Sequence, residues 1–332
     1  MRIRGVNVRD DEIKSSTFGA AAYGGDGWQP RERPHGGELG SHWAPCGIDS
    51  EWAPLEAVML HRPGRELAAS HNDPQAVQML DPLDLDEAGR EHDAIAGAYR
   101  DAGVEVHYVE PAVTPDPNQM FCADLFVMTP QGAILARPAS EVRAGEERWV
   151  ARRLADLGVP ILKTLTGTAT FEGADLMWLD AKTAVIGRGL RTNQAAIDQI
   201  SGVLGEIGIE TIAVDMPYGT MHLMGMLRIA DKDLAIAWPR RTPHAAVTAL
   251  QVRGFHVAFL PALDEAETNR ALNFVTLGPR AILMVAGNPA TEAFYGTLGI
   301  DCHTAPAAEL AKAAGAIGCL TGVVRRERVG AS

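Results

Sequence analysis

Apolar and polar positions follow one pattern along this chain, and the pattern recurs five times. Each copy combines a β-hairpin, an amphipathic helix that ends in glycine, and a short apolar strand. The helix-ending glycines, about 45 to 55 residues apart, are Gly103, Gly158, Gly208, Gly254 and Gly299. A repeat of this length is typical of a propeller or an array. In a closed ring of such repeats, residues distant in sequence meet near one axis.

The pattern predicts the individual elements within a few residues. The first strand is predicted over 55–60, and hairpins over 123–137, 174–187, 222–238 and 271–285. Helices are predicted over 84–102, about 144–157, 192–207, from 243 and 289–298, each followed by a strand, at 104–109, 159–162, 209–214, 255–260 and 300–303. A helix over 307–314 and a strand over 319–324 are expected to follow. Each main helix ends at glycine because the residue after it takes a positive φ at little cost only when it is glycine.

The first 50 residues differ from the rest of the chain. They are rich in Gly and Pro and lack a periodic apolar pattern, which is typical of an irregular segment. We therefore expect an irregular N-terminal arm over residues 1–50 and a single catalytic domain over residues 51–332. A surface tail is the simplest interpretation; Trp28 and Trp43 could instead anchor a lid or an arm on a neighbouring subunit. The sequence leaves open whether the protein is a homo-oligomer.

Composition narrows the classes of partner. The chain has 332 residues, 46% of them hydrophobic, enough for a substantial core shared by the repeats. Its net charge is −12, and its isoelectric point is near 5.3. Nucleic acids and anionic membranes bind basic surfaces, so the acidic balance argues against both. A small cationic substrate fits this balance better.

Cysteine usage points to a reducing compartment. The four cysteines are Cys46, Cys122, Cys302 and Cys319, and none forms a CxxC pair. The spacing therefore suggests neither a zinc site nor a disulfide framework. Few cysteines and the lack of a secretory apolar segment favour a cytoplasmic location. No apolar run approaches the roughly 20 residues that a membrane span needs.

Polar residues recur where the predicted hairpins begin. Asn118, Glu172, His222 and Asn269 each follow a helix-ending glycine by about 14 or 15 residues, and Cys319 follows Gly299 by about 20. Asp124 and Asp175 share an Ala-Asp-Leu sequence in two hairpins; Asp175 is expected to stabilise its repeat. If the repeats form a ring, the side chains that meet at its axis are Asn118, Asp124, Glu172, His222 and Cys319.

This combination of side chains suits attack by a thiolate on a guanidinium carbon. A cysteine, a histidine and a carboxylate supply a nucleophile, its acid/base and the group that orients the base. A further carboxylate, such as that of Asp124, can hold a planar cation through charge-assisted hydrogen bonds. This chemistry requires no metal and no organic cofactor, and we expect none.

Several sequence segments resemble the guanidino-group modifying enzymes, a superfamily of dimethylargininases, arginine deiminases and amidinotransferases. The segments are Phe171–Asp175, Gly189–Gln194, Met221–Leu223 and Gly315–Thr321, with Leu60–Pro63 and Glu91–His92 resembling the first repeat of that superfamily. The resemblance covers roughly residues 52–326. It implies the pentein fold, a pseudosymmetric α/β propeller with five blades built from ββαβ repeats.

Within the superfamily the chain looks most similar to dimethylargininase. The resemblance implies that Cys319 is the nucleophile, His222 the general acid/base and Glu172 its paired carboxylate. It implies further substrate-binding residues, namely Asp124 for the guanidinium, Phe121 in the same loop, and Arg143 and Arg191 for the substrate's carboxylate. Met224 stands where deiminases and many transferases carry an aspartate, which favours the dimethylargininase branch.

Two positions depart from the dimethylargininase pattern. Asn118 replaces an expected aspartate that binds guanidinium, and Ala123 replaces an expected glutamate. The loss of two carboxylates suggests a shifted substrate, and Asp116 would substitute if its loop bends.

We therefore expect a hydrolase that acts on the guanidino group of an arginine-like substrate through a covalent cysteine thiouronium. The products would be a ureido compound, such as citrulline, and an amine. The alternatives are an amidinotransferase, an arginine deiminase, and a binding module of the same fold without catalytic activity. The sequence identifies neither the exact guanidino substrate nor whether water or an amine accepts its amidino group.

Overall fold

In the computed structural model the chain divides into two units, and the boundary lies between Glu38 and Leu39. The structure describes residues 19–330. The described part of the first unit contains two short 3₁₀ turns, Ala21–Tyr23 and His35–Glu38. Within it Arg31 pairs with the buried carboxylate of Glu38.

Residues 39–50 are part of the second unit. Gly47 bridges to Arg325, and the Gly47 amide donates to the carbonyl of Val324 at 3.1 Å. Asp49 is buried and pairs with Arg328 at 3.1 Å. The predicted division into an arm over 1–50 and a catalytic domain over 51–332 stays a prediction, and residues 1–18 of that arm lie outside the described residues.

The second unit contains five three-stranded sheets with the same arrangement. The strands are β1 Leu55–Leu60, β2 Glu105–Tyr108, β3 Phe126–Thr129, β4 Gly132–Leu135, β5 Ile161–Thr164, β6 Leu176–Asp180, β7 Thr183–Arg188, β8 Glu210–Asp215, β9 Leu227–Asp231, β10 Leu234–Ala237, β11 His256–Phe259, β12 Val275–Gly278, β13 Ala281–Val285, β14 Asp301–Ala305 and β15 Gly322–Arg326.

In every sheet the central strand runs antiparallel to one neighbour and parallel to the other, which is the strand after the helix. Four sheets have the orders β3-β4-β5, β6-β7-β8, β9-β10-β11 and β12-β13-β14. The fifth has the order β15-β1-β2, in which β15 from the end of the repeats pairs antiparallel with β1. The predicted five ββαβ repeats are confirmed. This pairing also brings the segment before β15, which carries Cys319, beside the first repeat.

Seven α-helices lie in the described residues. They are α1 Leu85–Asp101, α2 Glu147–Asp156, α3 Gln194–Glu206, α4 His244–Val252, α5 Leu263–Thr268, α6 Pro289–Thr297 and α7 Ile317–Leu320. The five helices that precede the predicted glycines agree with the sequence within a few residues, and those glycines have φ between 72° and 85°. Side chains cap two helix starts: Asp84 accepts from the Glu87 amide, and Asn193 from the Ala196 amide.

The sequence-based boundaries differ from the structure at the starts of hairpins, at the strand after Cys319 and at two helices. The predicted hairpins at 123, 174 and 222 begin with 3₁₀ turns, at Cys122–Asp124, Gly173–Asp175 and Leu223–Gly225, and their strands start only at 126, 176 and 227. The strand predicted from 319 starts at 322, because Cys319 lies in helix α7. Helix α5 was not predicted, and the helix predicted over 307–314 is a 3₁₀ turn at Leu310–Ala313.

Buried apolar side chains on both faces of the sheets form the core. Trp178, Tyr99 and Tyr295 are the largest fully buried side chains. Tyr99, on α1, forms a buried hydrogen bond of 2.7 Å between its hydroxyl and Oγ1 of Thr321. The first repeat is thereby joined to the segment that follows helix α7, which carries Cys319. Among the helices of the described residues, none has the length and apolar character to cross a membrane.

This hydrogen bond gives a stability prediction. Tyr99→Phe leaves the ring buried and removes one partner, while the Thr321 hydroxyl keeps its bond to the Ile317 carbonyl at 2.7 Å. We expect the free energy of unfolding to fall by about 1 kcal/mol. Urea unfolding followed by tryptophan fluorescence measures the change, with Tyr218→Phe as the control because the Tyr218 side chain is exposed. An unchanged urea midpoint for Tyr99→Phe would contradict the prediction.

Candidate active site

The side chains of Cys319 and His222 line the same two cavities. One is a cavity of about 470 Å³ that also contacts Asn273, Arg228 and Trp238. The other is a narrow cleft of about 30 Å³, and its walls include Asn118, Phe121, Asp124, Arg143 and Arg191. The site residues predicted from the sequence therefore converge, with the sulfur and the imidazole between a narrow and a wide space.

The 3₁₀ turns at the starts of the hairpins present the polar side chains to the site. Glu172 directly precedes the turn Gly173–Asp175, and His222 directly precedes Leu223–Gly225. Asp124 is the last residue of the turn Cys122–Asp124. Gly173 allows two of these turns to approach, because a Cβ there would lie in contact with the backbone oxygens of Ala123 and Phe126.

Glu172 is fully buried and is the central anion of the site. Its Oε2 lies 2.7 Å from Nε2 of His222, and its Oε1 accepts from Arg191 at 3.1 Å. Arg143 reaches Oε2 at 3.3 Å. Burial opposes ionisation of Glu172, but the hydrogen bond from His222 and the three nearby cations outweigh it and lower the pKa of Glu172. Glu172 is therefore ionised at neutral pH.

The same contacts keep His222 protonated. Burial lowers the pKa of His222, but the charges of Asp124, Glu172 and Asp175 outweigh burial and raise this pKa to about 9. The unfolded value is near 6.5. Protonation of His222 therefore stabilises the fold fully below about pH 6.5, and this contribution is lost as the pH rises through about 9. At neutral pH the imidazolium can donate a proton to a leaving group.

Asp175 positions His222 from outside the site. Its Oδ1 accepts from the backbone amide of Leu223 at 2.9 Å, and its Oδ2 accepts from the hydroxyl of Thr192 at 2.6 Å. Burial raises the pKa of Asp175 to about 6, although these hydrogen bonds oppose the shift. Asp175, which is predicted to stabilise its repeat, thus holds the turn that follows His222.

Arg143 is buried and forms ion pairs with three acidic side chains, although its Nη2 has no hydrogen-bond partner of good geometry among the described residues. Its Nη1 donates to Oδ2 of Asp124 at 2.8 Å, and its Nε donates to Oε2 of Glu146 at 3.0 Å. Burial alone would lower the pKa of Arg143, but Glu146, Asp124 and Glu172 raise it. Arg143 had been expected to hold a substrate carboxylate; in this structure its guanidinium instead connects the acids of the site.

Glu146 is a member of this network that the sequence reasoning missed. Burial raises the pKa of Glu146 to about 8, although the charge of Arg143 and its hydrogen bond to Glu146 oppose the shift. It lies three residues after Arg143, between the 3₁₀ turn Glu141–Arg143 and the start of α2. The short spacing of a basic and an acidic residue was the available signal.

Asp124 keeps one oxygen free for a ligand. Its Oδ2 is bound by Arg143, whereas its Oδ1 is buried without a hydrogen-bond partner among the described residues. Oδ1 lies 3.8 Å from Nε2 of His222. A buried acceptor without a partner costs free energy until a donor arrives. The free oxygen therefore marks the place where a cationic N–H group would bind.

Phe121 and Asn118 complete the narrow cleft. The ring centroid of Phe121 lies 5.8 Å from the guanidinium carbon of Arg143. Asn118 is buried, and its Nδ2 donates to the carbonyl of Val77 at 2.8 Å. Ala123 lines a different, central cavity. In this chain, neither position 118 nor position 123 supplies a carboxylate to the cleft.

Asn273, another residue that the sequence reasoning missed, holds helix α7 at Gly318 and Cys319. Its Nδ2 donates to Sγ of Cys319 at 3.1 Å, and its Oδ1 accepts from the Gly318 amide at 2.7 Å. Counting from the helix-ending glycine had selected Asn269 instead. Asn269 donates to the carbonyls of Ala286 and Gly287. Helix α5 changes the interval between the glycine and the strand in this repeat. Counting back from the start of β12, as Asp124 stands before β3, would have found Asn273.

Asp124, Glu172 and His222 are close enough to offer ligand atoms to a metal ion. A cation already lies among them, because Nη1 of Arg143 is 2.8 Å from Asp124 and 3.3 Å from Glu172. A metal ion would have to displace this guanidinium. The three groups therefore fit an arginine-bridged proton-transfer site better than a metal site.

Comparisons with known proteins agree with this geometry. A sequence model of the family described as "N,N dimethylarginine dimethylhydrolase, eukaryotic" matches residues 68–251, more than half of the chain. The chain is 27% identical over 271 residues to the N(G),N(G)-dimethylarginine dimethylaminohydrolase of Streptomyces coelicolor, a match that covers 81% of this chain and 96% of that protein.

Solved structures share the fold. The dimethylarginine dimethylaminohydrolase of Pseudomonas aeruginosa, solved with citrulline, matches with a TM-score of 0.69 and 20% identity over 81% of this chain and 99% of that one. SxtG, an amidinotransferase of the saxitoxin pathway from Microseira wollei, matches with a TM-score of 0.70 and 14% identity over 87% and 99%. The predicted pentein fold is confirmed, and the chain belongs to the dimethylarginine dimethylaminohydrolase family.

Proposed function

We propose that this protein hydrolyses the guanidino group of an arginine-like substrate through a covalent intermediate on Cys319. The observation that carries the proposal is the shared lining of one cleft by Cys319, by a protonated His222 and by the free Oδ1 of Asp124. A thiolate, an acid and a guanidinium acceptor are the groups that this reaction needs. Family membership supports the same reaction class.

The first half of the reaction forms a carbon–sulfur bond. Asp124 accepts an N–H of the substrate guanidinium and places the central carbon near the sulfur. The Cys319 thiolate attacks this carbon, and a tetrahedral adduct forms. His222 gives its proton to the departing nitrogen as the carbon–nitrogen bond breaks. The amine leaves, and a thiouronium remains on Cys319.

The second half returns the enzyme to its starting state. His222, now neutral and still bonded to Glu172, takes a proton from a water molecule. The resulting hydroxide attacks the thiouronium carbon and forms a neutral tetrahedral adduct. The carbon–sulfur bond then breaks with the electron pair returning to sulfur, and the hydroxyl proton of the adduct passes to solvent, where it protonates the released amine. The product is a urea, and the overall change consumes one water per amine released. With a methylated arginine the products would be citrulline and a methylamine.

The two arginines have different parts in this proposal. Arg143 orders Asp124 and Glu172, because its guanidinium forms ion pairs with both and with Glu146. Arg191 uses Nη1 for Glu172, and its Nε has no hydrogen-bond partner among the described residues. Arg191 is therefore the better candidate to bind a substrate carboxylate. With Asn118 and Ala123 in place of acids, we infer a guanidinium that needs only one free carboxylate.

Amidino transfer is the second candidate, and the wide cavity favours it. A space of about 470 Å³ adjoins both Cys319 and His222, so an amine could approach the thiouronium in place of water. Arginine deimination is less favoured, since Met224 lines the site where an aspartate would be expected. A non-catalytic binding module would have no use for a complete set of nucleophile, acid and carboxylate.

We also propose a cytoplasmic location, because all four cysteines are free thiols. The net charge of −12 supports a small cationic substrate rather than nucleic acid. Whether the protein forms a homo-oligomer stays open.

The main test incubates the protein with a panel of guanidines that includes methylated arginines. Mass spectrometry should detect a ureido product and an amine in equal amounts, and an adduct on the peptide that contains Cys319. Cys319→Ala should lower kcat at least about 1,000-fold. Cys302→Ala, which removes a half-buried thiol elsewhere, should keep the wild-type rate. Turnover that depends on an added amine and gives no ureido product would reject hydrolysis in favour of transfer.

The protonation of His222 predicts a pH dependence. Since the pKa of His222 is raised to about 9, we expect kcat/KM to decrease above about pH 9 as the general acid is lost. Glu172→Gln removes one anion that raises this pKa, so the alkaline limb should move down by at least about one unit. Glu267→Gln, on the exposed rim of the wide cavity, serves as the matched control. An alkaline limb that stays in place in Glu172→Gln would contradict the assignment.

A further inference from the structure

Arg228 is a buried cation without a counter-charge in direct contact. It lies on β9, six residues after His222, and is 8% exposed. Among the described residues its guanidinium forms no ion pair, and its Nε is buried without a hydrogen-bond partner. Burial lowers the pKa of Arg228, but an arginine stays protonated in proteins. A buried charge that lacks a partner costs several kcal/mol, so its presence calls for an explanation.

The guanidinium of Arg228 lies against helix α7 at Gly318. A Cβ at position 318 would overlap Nη2 of Arg228 and would lie 2.9 Å from Oδ1 of Asn273. Glycine at 318 therefore makes room for both side chains beside the backbone that carries Cys319. Arg228 and Cys319 also line the same wide cavity.

The other groups around Arg228 make no ion pair with it among the described residues. Glu51 shares the central cavity, and its charge favours the protonated form of Arg228 from a distance. Burial raises the pKa of Glu51, and its Oε1 accepts from the Trp178 amide at 2.9 Å. Burial raises the pKa values of Tyr99 and Tyr295, so both phenols are neutral. Arg326, also on the central cavity, is a second cation, bonded to the Ala53 carbonyl at 2.7 Å.

The charged groups on the wide cavity do not neutralise Arg228 either. Glu267 pairs with Arg241 at 2.9 Å. Arg270 and the protonated His222 add positive charge to the cavity wall. The sulfur of Cys319 lines the same cavity, and as a thiolate it would supply Arg228 with a counter-charge.

We propose that Arg228 is a positioning residue that stabilises the Cys319 thiolate before substrate binds. This inference rests on the assignment of Cys319 as the nucleophile in the proposed function. A cation next to a cysteine favours the thiolate, the reactive form of the side chain. Because the guanidinium is buried, its attraction for the sulfur is screened less than it would be at a surface. His222, Asn273 and Arg228 thus act on one sulfur atom.

Alkylation of the thiol tests this proposal without any substrate. Iodoacetamide is uncharged and reacts with the thiolate, so its rate at Cys319 as a function of pH reports the ionisation of that sulfur. The modified peptide is quantified by mass spectrometry, which separates Cys319 from Cys302. For Arg228→Met we expect a rate at pH 7 at least about tenfold lower, and a rate profile displaced upward by about one pH unit.

Two further variants separate charge from structure. Arg228→Lys keeps the charge and should react within about threefold of wild type. Arg241→Met removes a paired arginine from the rim of the same cavity and should react within about twofold. A wild-type rate for Arg228→Met, or an equal loss for Arg241→Met, would overturn the proposal. If circular dichroism finds Arg228→Met unfolded, the comparison of Arg228→Lys with Arg228→Gln replaces it, and equal rates overturn the proposal.

The outcome is independent of the proposed reaction. A protein whose alkylation depends on Arg228 but which forms no ureido product from any guanidine would retain this inference and reject the hydrolase. Ureido product with alkylation independent of Arg228 would reject this inference and retain the hydrolase.

Discussion

The site depends on a buried carboxylate that stays ionised. Glu172 has no access to solvent, and a lone carboxylate there would take up a proton. His222, Arg143 and Arg191 prevent this by direct contacts of 2.7 to 3.3 Å. The charges are mutually dependent, because the ionised Glu172 in turn helps to keep His222 protonated and helps to hold Arg143 among the acids. A change to any one of these groups therefore alters the pKa values of Glu172 and His222.

The ring of repeats makes this network possible by placing its members on different hairpins. Asp124, Glu172 and His222 come from the turns before β3, β6 and β9. Each turn is short and tied to its own sheet, so the side chains have little freedom to separate. The antiparallel pairing of β15 with β1 then brings Cys319 to the same place. The catalytic geometry is thus a property of the closed repeat rather than of any single loop.

The repeats were predictable from the sequence because two strong signals coincide in each of them. A glycine must follow each helix where φ is positive, and apolar segments of fixed order surround it. The convergence of Cys319, His222, Glu172 and Asp124 followed from the same register. The turns at the hairpin starts were not predicted, since a 3₁₀ turn such as Gly173–Asp175 runs directly into the apolar strand that follows it.

Contacts between repeats were beyond the reach of the sequence pattern. Arg143 was expected to face the substrate, but two of its three acidic partners, Asp124 and Glu172, come from other segments that only the folded chain brings together. Asn273 was missed because helix α5 changes the spacing in one repeat. Arg228 gave no signal, since an arginine in a strand is ordinarily expected on the solvent side. Its burial is visible only when the neighbouring repeats are in place.

The pairing of β15 with β1 has a consequence for how the integrity of the ring can be observed. Thr321, bonded to Tyr99 of the first repeat, lies two residues after the sulfur and one residue before β15. Any opening that separates β15 from β1 also moves the sulfur of Cys319 away from Nδ2 of Asn273 and from the cavities that it lines with His222. The reactivity of the Cys319 thiol therefore reports whether β15 is paired with β1 and the ring of sheets is closed.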